Sequence, residues 1–320
     1  MKALVCGISG QDGTYLAKLL LERGYEVIGT SRDAMVTSFA NLDLLGIRRK
    51  LRVTSMSVKD FRSVLSVIQR HDPDEIYNLA GQTSVGLSFE QPVEAIESIT
   101  QGTLNILEAI RFFNRPLRFY SAGSSECFGD VKDEPADEAA PFVPRSPYAV
   151  AKAAAHWLVR NYREAYGLWA CTGILFNHES PLRPEHFVTQ KVVRAAARIN
   201  CGSEEIVELG DVGIRRDWGW APDYVKAMWR MLQEERPDDF VIATGRSESL
   251  AYFVSNAFRF FGLNWREHVV FRQDLFRPTD ISLSCGNPAK AKKMLNWSTE
   301  IDVDGVIRRM CQAASNPAHS

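Results

Sequence analysis

The chain has no run approaching the ~20 apolar residues that a bilayer-spanning helix requires. Its most alanine-rich stretch, Ala151 to Val159, is interrupted by Lys152 and His156. Neither sign of charge is in excess: 38 Lys plus Arg stand against 39 Asp plus Glu, a formal net charge of -1. Nucleic-acid binders usually carry a basic surplus, so no nucleic-acid partner is expected. Cysteine is sparse and scattered, at Cys6, Cys127, Cys171, Cys201, Cys285 and Cys311, with no C-x-x-C pair. That argues against a metal site and against a disulfide framework, and the thiols read as reduced and cytoplasmic. Internal repeats and low-complexity tracts are absent. The opening Met1-Lys2-Ala3-Leu4-Val5-Cys6-Gly7 reads as a β-run entering a glycine turn, not as a signal peptide with its longer apolar core.

What is present is the composition of an ordinary soluble protein, 45% hydrophobic and 24% charged. At 320 residues the chain exceeds the ~250–300 at which one core usually stops growing, so two parts are expected. In the first half, apolar runs at Ala3–Cys6, Glu26–Gly29, Leu51–Thr54, Glu75–Ala80 and Arg118–Ala122 alternate with helical patterns. One such helix carries Leu16, Leu19 and Leu20 on one face and stops at Gly24; another runs from about Val93 to Phe113. This alternation predicts an α/β fold: a Rossmann-type, doubly wound parallel sheet with helices on both faces. Past residue 176 the pattern changes, beginning with the proline-rich Asn177-His178-Glu179-Ser180-Pro181-Leu182-Arg183-Pro184. Residues 1–176 are therefore expected to form a dinucleotide-binding domain. Residues 177–320, which mix helices with isolated strands such as Phe240–Ala243, would form mainly a smaller nucleotide-sugar-binding lobe, with some segments returning to the sheet. Ligands of open α/β sheets bind at the carboxyl edge of the strands.

Gly7-Ile8-Ser9-Gly10-Gln11-Asp12-Gly13 is a G-x-x-G-x-x-G turn between the first strand and the first helix. Glycines let the backbone turn tightly and approach a pyrophosphate, and the helix N-terminus offers free N–H groups. The second strand ends at Thr30-Ser31-Arg32-Asp33. A guanidinium at Arg32 suits a 2′-phosphate and favours NADP over NAD, although Asp33 leaves NAD open and Arg32 could be a solvated loop residue.

Tyr148 and Lys152 form Y-x-x-x-K, preceded by Ser146-Pro147, a helix start with Ser as N-cap and Pro at the first position. The spacing puts both side chains on one helical face. A nearby ammonium and the positive helix end favour the phenolate, which would accept a proton from a sugar hydroxyl as hydride leaves its carbon. Ser121-Ala122-Gly123-Ser124-Ser125-Glu126 follows the strand at Arg118. Glu126 would be a base if burial raised its pKa; from spacing alone it reads equally as a solvated loop carboxylate.

Together these motifs resemble the extended short-chain dehydrogenase/reductases that act on nucleotide sugars. The resemblance narrows to the GDP-mannose 4,6-dehydratase family. It is carried by Gly10-Gln11-Asp12-Gly13-Thr14-Tyr15-Leu16, Pro73-Asp74-Glu75-Ile76-Tyr77-Asn78-Leu79-Ala80, Pro144 to Lys152, Gly173 to Pro181, Arg216-Asp217-Trp218-Gly219 and Arg277-Pro278-Thr279-Asp280. The resemblance implies Ser124, Glu126, Tyr148 and Lys152 as catalytic residues. It implies a cofactor site at Gly7, Gly10, Gln11, Asp12, Gly13, Arg32, Ser57 and Leu79 together with Tyr148 and Lys152. A GDP-sugar would meet Asn177, Lys191, Arg216, Arg277 and Asp280; each of these alone reads as an ordinary surface polar group. The chain departs from the family's pattern at Ser57-Val58 (Asp-Leu in the family), at Ser84 (His), at Asp280 (Glu) and at Ser31-Arg32 (paired arginines).

The implied activity is conversion of GDP-mannose to GDP-4-keto-6-deoxymannose and water, with hydride passing internally through NADP. The alternatives are a related GDP-sugar reductase or epimerase, a dehydratase of another GDP-hexose or heptose, and a non-catalytic NADP-binding partner built on the same fold. The resemblance also implies a homodimer or homotetramer, with the Arg32–Asp43 loop between subunits.

Overall fold

Parallel strands with helices on both faces must be apolar on both faces, and these are. In the computed structural model, which describes residues 1–131 and 134–315, β1 (Lys2–Cys6) buries Ala3 and Val5 on one side and Leu4 and Cys6 on the other. It pairs in parallel with β2 (Glu26–Ser31) and with β4 (Glu75–Asn78). Outside β2 lies β3 (Arg52–Ser55); outside β4 lie β5 (Arg118–Ala122) and β6 (Ala170–Leu175). The strand Phe240–Ile242 closes the far edge against β6, so a late segment of the chain returns to the sheet. The seven strands run in the order β3-β2-β1-β4-β5-β6 and then 240–242, the doubly wound order, with its reversal between β1 and β4.

Each face has its own core. Helix α1 (Gln11–Glu22) and the helix Ala221–Met231 bury Leu16, Leu20, Tyr224 and Met228 against Ala3 and Val5. The helices 61–71, 102–113 and 147–166 bury Val64, Ile68, Ile106, Ile110 and Val159 against Leu4, Ile76 and Phe119. Leu20 is wholly buried, so Leu20→Ala would cost ~2–5 kcal/mol. A separate core joins the helices Val188–Asn200, Leu250–Phe260 and Val303–Ala314, with Val193, Phe253, Phe258 and Met310 at its centre. Among the described residues no helix is long and apolar enough to cross a membrane.

Two elements differ from the sequence expectation. Helix α1 starts at Gln11, four residues before the apolar pattern begins, because tertiary contacts fix its first turn: Thr14 Oγ1 donates to Ile8 O and Gln11 Nε2 to His178 O. The expected 93–113 helix runs from Pro92 to Phe113, but Ile96–Gln101 is a π-helical turn. Such turns mark places where another element intrudes on the helix. Here the turn packs on the 147–166 helix, with Thr100 Oγ1 donating to Ala151 O.

Candidate active site

The carboxyl ends of five strands share one edge, and they carry Gly7 (β1), Arg32 (β2), Ser57 (β3), Leu79 (β4) and Ser124 (β5). At Gly7 the backbone has φ +82°, and an added Cβ would stand 2.8 Å from Leu79 O. At Gly13 a Cβ would stand 2.3 Å from Gly7 O. The turn and the first turn of the helix are thus in direct contact, and Gly7 and Gly13 tolerate only glycine. Gly10 is the N-cap of α1, which has no side-chain cap, so its terminal N–H groups face outward for an anion. These features fit a dinucleotide pyrophosphate.

Arg32 is exposed just past β2, with no hydrogen bond or ion pair among the described residues. The neighbouring Asp33 is engaged: its Oδ1 accepts from Met35 N–H and its carbonyl from Thr37 N–H. Ser57 donates its N–H to Ser63 Oγ and its carbonyl accepts from Asp60 N–H. Leu79 N–H still pairs with Cys6 O beyond the end of β4.

The 147–166 helix begins as the sequence requires. Ser146 Oγ accepts from Ala149 N–H at 3.1 Å, and Pro147 opens the first turn. Tyr148 and Lys152 are both buried on the face toward β5. Lys152 Nζ donates to Ala122 O at 2.8 Å and lies 5.8 Å from the Tyr148 ring centre. Burial pushes the Lys152 pKa down to about 8. Burial also pushes the Tyr148 phenol up; the Ser124 hydroxyl facing it lowers the value, and the charges of Glu126 and Cys127 raise it. Burial thus opposes the phenolate that the sequence favours, while the Ser124 hydroxyl supports it and the Lys152 ammonium is engaged by the Ala122 carbonyl.

Ser124 caps a short 3-10 turn, Ser125–Phe128, its Oγ accepting from Glu126 N–H at 3.2 Å. The turn aims Glu126 inward. Burial raises its pKa, the charges of Arg216 and Arg277 oppose that, and Asp280 and Asp130 reinforce it. Arg216 is 4% exposed. Its guanidinium donates to Ile281 O at 2.6 Å and to Asp280 Oδ1 at 2.9 Å, and Arg277 reaches the same oxygen at 3.3 Å. The fold thus brings Ser124, Glu126, Tyr148, Lys152, Arg216, Arg277 and Asp280 into one electrostatic neighbourhood. Asn177 lies beside it, on a strand (Asn177–Glu179) paired in parallel with Trp218–Trp220. Lys191 is placed differently: its ammonium donates to Glu208 O at 2.7 Å, and among the described residues no hydrogen bond or ion pair joins it to the Glu126 group.

Three residues without a role in the sequence reading belong here. Asp217 is fully buried; its carboxylate accepts from Thr244 N–H and Gly245 N–H at 2.9 and 3.0 Å, fixing the strand that carries Arg216. Arg183 places its charge toward both Tyr148 and Asp12 while its guanidinium lies 3.7 Å over the Phe187 ring. His178 bonds Asp12 at 2.9 Å. All three lie inside or next to quoted motifs, but their partners are remote in sequence and no local spacing signals them.

Two cavities lie aside from this group. One of about 330 Å³, lined by Glu138, His156, Arg163 and Asp239, contains none of the site residues. The other, about 960 Å³, includes only Arg216 among them.

The family described as GDP-mannose 4,6 dehydratase matches residues 4–310. GDP-mannose 4,6 dehydratase 1 of Arabidopsis thaliana is 46% identical over 321 residues, covering 96% of this chain and 88% of its own. UDP-glucose 4-epimerase of Thermus thermophilus, solved with NAD, superposes with a TM-score of 0.87 at 25% identity, covering 99% of this chain and all of its own. RMD of Pseudomonas aeruginosa, solved with NADPH, gives 0.82 at 22% identity over 98% of both chains, a likeness of fold. With the glycine turn, the buried Tyr148–Lys152 pair and Glu126 in place, and this match along nearly its whole length, the chain belongs to the GDP-mannose 4,6-dehydratase family.

Proposed function

We propose that the chain is a nucleotide-sugar 4,6-dehydratase acting on GDP-mannose with NADP, and that Tyr148, Lys152, Ser124 and Glu126 carry the chemistry. The observation that carries this reading is Glu126. A reductase or a simple epimerase needs no base at C5, yet here a half-buried carboxylate of raised pKa sits near Ser124 and Tyr148 and within the field of two arginines. The nicotinamide dinucleotide, held by the Gly7–Gly13 turn, supplies reversible hydride acceptance, which leaves the overall reaction redox-neutral.

Tyr148 reacts as the phenolate, its own proton having passed to solvent, and its Oη then takes the C4 hydroxyl proton as C4 becomes a ketone. The Ser124 hydroxyl eases that step by stabilising the phenolate, and Lys152 stays in place through Ala122 O. The C4 ketone acidifies C5–H. Glu126 removes that proton, the C6 hydroxyl departs as water with the proton that Tyr148 took from the C4 hydroxyl, and after hydride returns to C6 Glu126 gives its proton back to C5. Arg216 and Arg277 offer cationic forks suited to the diphosphate, anchored by Asp280. Asn177 and Lys191 complete the GDP-sugar contacts in this reading.

NADP is favoured over NAD because Arg32 is free and exposed where a 2′-phosphate would lie, while Asp33 spends its carboxylate on its own turn. We read the assembly as a homodimer or homotetramer: the 147–166 helix exposes Trp157 and Val150, and the neighbouring helix exposes Val93 and Ile96. The six free thiols suit a reducing cytoplasm.

The test is to supply GDP-mannose without external NADPH and follow the sugar by mass spectrometry, alongside UDP-, dTDP- and CDP-sugars. Loss of one water from GDP-mannose alone supports the reading. Turnover that requires added NADPH refutes it in favour of a reductase.

A further inference from the structure

The first turn of α1 presents a puzzle of charge. A helix N-terminus that is to receive a pyrophosphate already holds a carboxylate, Asp12. An acidic side chain there stabilises the helix through its macrodipole, but it also repels the anion that the turn is built to bind. The structure supplies a compensating group from 166 residues away: His178 Nε2 lies 2.9 Å from Asp12 Oδ2.

The ring's other nitrogen fixes the protonation logic. His178 Nδ1 lies 2.7 Å from the backbone carbonyl of Phe176, which can only accept, so Nδ1 carries a hydrogen. Asp12 Oδ1 accepts from Gln11 Nε2 at 3.0 Å. One further proton must then lie between Nε2 and Oδ2. With it the Asp12–His178 pair is neutral; without it the pair carries a full negative charge at the helix N-terminus. Two more hydrogen bonds tie the same helical turn to this strand and the residue after it: Gln11 Nε2 donates to His178 O at 3.2 Å, and Ser180 Oγ donates to Gln11 Oε1 at 2.7 Å.

We propose that Asp12 and His178 form a proton-holding bridge that neutralises the cofactor turn and fastens it to the Asn177–Glu179 strand, so that dinucleotide affinity depends on the pair keeping its proton. His178 is thereby a positioning residue that acts through Asp12 and the turn. The inference rests on the dinucleotide part of the functional reading above. It also makes the cofactor turn and the strand bearing Asn177 share one support, so the two halves of the active site are held in register by the same pair.

Other charged groups around the ring point the same way. Burial lowers the His178 pKa, but the charge and hydrogen bond of Asp12 more than offset this, and the net direction is upward. Arg183, from the following loop, opposes it. Tyr224, from the 221–231 helix, stacks on the ring with centres 4.5 Å apart and stays a neutral phenol, because burial pushes it far above its ordinary range. Asp12 moves in reciprocal fashion: burial raises it, and His178 brings it below the usual carboxylate value. Because the two groups titrate as a pair, the proton leaves in one apparent step above the ordinary histidine range. Below that step the turn is neutral; above it, the turn is negative and repels the ligand.

The experiment measures NADPH binding to the full chain by nucleotide fluorescence from about pH 6 to about pH 9, in the wild type, Asp12→Asn and His178→Gln. Wild-type affinity should fall by roughly two- to thirtyfold across the step, the range expected for one charge at a helix N-terminus. In Asp12→Asn that alkaline loss should vanish, because no carboxylate remains to be uncovered. In His178→Gln the affinity should be weak already at low pH, with no step. Ionisation of the ligand is common to all three proteins and cancels in the ratios; Lys152, whose pKa the Asp12 charge raises, is taken out of the comparison by repeating the series in a Lys152→Met background. Parallel pH profiles in the wild type and Asp12→Asn overturn the inference alone. No NADPH or NADH binding by the wild type at any pH overturns the dinucleotide reading, and this inference with it.

A second measurement does not depend on how the variants fold. In nitrogen–proton correlation spectra of the wild type with labelled histidine, one ring should keep both N–H groups at a pH where His71, His156 and His186, all lowered by burial, have one. Adding NADPH should raise that ring's titration midpoint, since ligand and proton favour each other. A midpoint unmoved by NADPH would overturn the proposed linkage.

Discussion

Replacing Glu126 by Gln separates chemistry from folding at the residue on which the functional reading turns. The side chains are nearly isosteric, and the surrounding charges do not depend on the carboxylate for their hydrogen bonds. Arg216 is held by Ile281 O and Asp280, Arg277 by Asp280, and Ser124 Oγ accepts from the backbone N–H of residue 126, which an amide side chain leaves unchanged. The diphosphate site should therefore persist. The carboxylate's raised pKa gives the sign for stability. A carboxyl group whose pKa is higher in the folded than in the unfolded chain loses stability as pH rises from the unfolded value through the folded one, because the folded state holds its proton longer. At neutral pH the ionised group is a cost, which a neutral amide removes. The thermal midpoint of Glu126→Gln should thus equal or exceed that of the wild type at pH 7, and the difference should vanish at acid pH, where Glu126 is protonated in both states.

Activity should move the opposite way. Glutamine accepts no proton from C5, and loss of a general base typically costs ~10²–10⁴-fold. Oxidation at C4 relies on Tyr148 and does not need that proton. Mixing the variant with GDP-mannose should therefore still produce nicotinamide absorbance in a stopped-flow trace, followed by little or no loss of water by mass spectrometry. Elimination of water at the wild-type rate would refute the base assignment. So would a variant that fails at the first absorbance change, since that would place Glu126 in C4 oxidation or in binding.

Other outcomes follow from neighbouring residues. Tyr148→Phe should retain NADP and GDP binding in calorimetry but lose ~10²–10⁴-fold in turnover, because only the hydroxyl facing Ser124 is removed; near-normal turnover would sink its role. Arg32→Ala should weaken NADP far more than NAD, as read by competition binding, and an equal loss for both would show that Arg32 does not meet the 2′-phosphate. Because burial brings Lys152 down to about 8, kcat should decline on the alkaline side of that value as the ammonium deprotonates. Lys152→Arg should move that limb upward, whatever it does to the maximum, and an unmoved limb would assign it to another group. Asp217→Asn should lower the thermal midpoint by the equivalent of ~1–3 kcal/mol and raise KM more than it lowers kcat, since it loosens the Arg216 strand and not the reacting groups.

The sequence by itself determined the features that local physics dictates. An apolar run, a glycine turn that admits no Cβ and an apolar helical face placed β1, the cofactor turn and α1. Ser146 and Pro147 set the start of the catalytic helix, and a four-residue spacing put Tyr148 and Lys152 on one face of it. These depend on neighbours within a few residues, so composition and spacing carry them. Only the tertiary structure decided the rest. Glu126 read equally well as base or loop carboxylate until Arg216, Arg277 and Asp280, far along the chain, closed around it and burial raised its pKa. For Tyr148 the sequence names neighbours that favour the phenolate, whereas the opposing effect of burial depends on how many groups the fold packs around the ring. The contact of the Lys191 ammonium with the Glu208 carbonyl, 17 residues on, has no signal in the local sequence. The hydrogen bond from Met35 N–H to the Asp33 carboxylate exists only once the turn after β2 has formed. His178 gave no local signal of its bond to Asp12, because a charge pair across 166 residues exists only when the chain has folded and water has been removed from between its members.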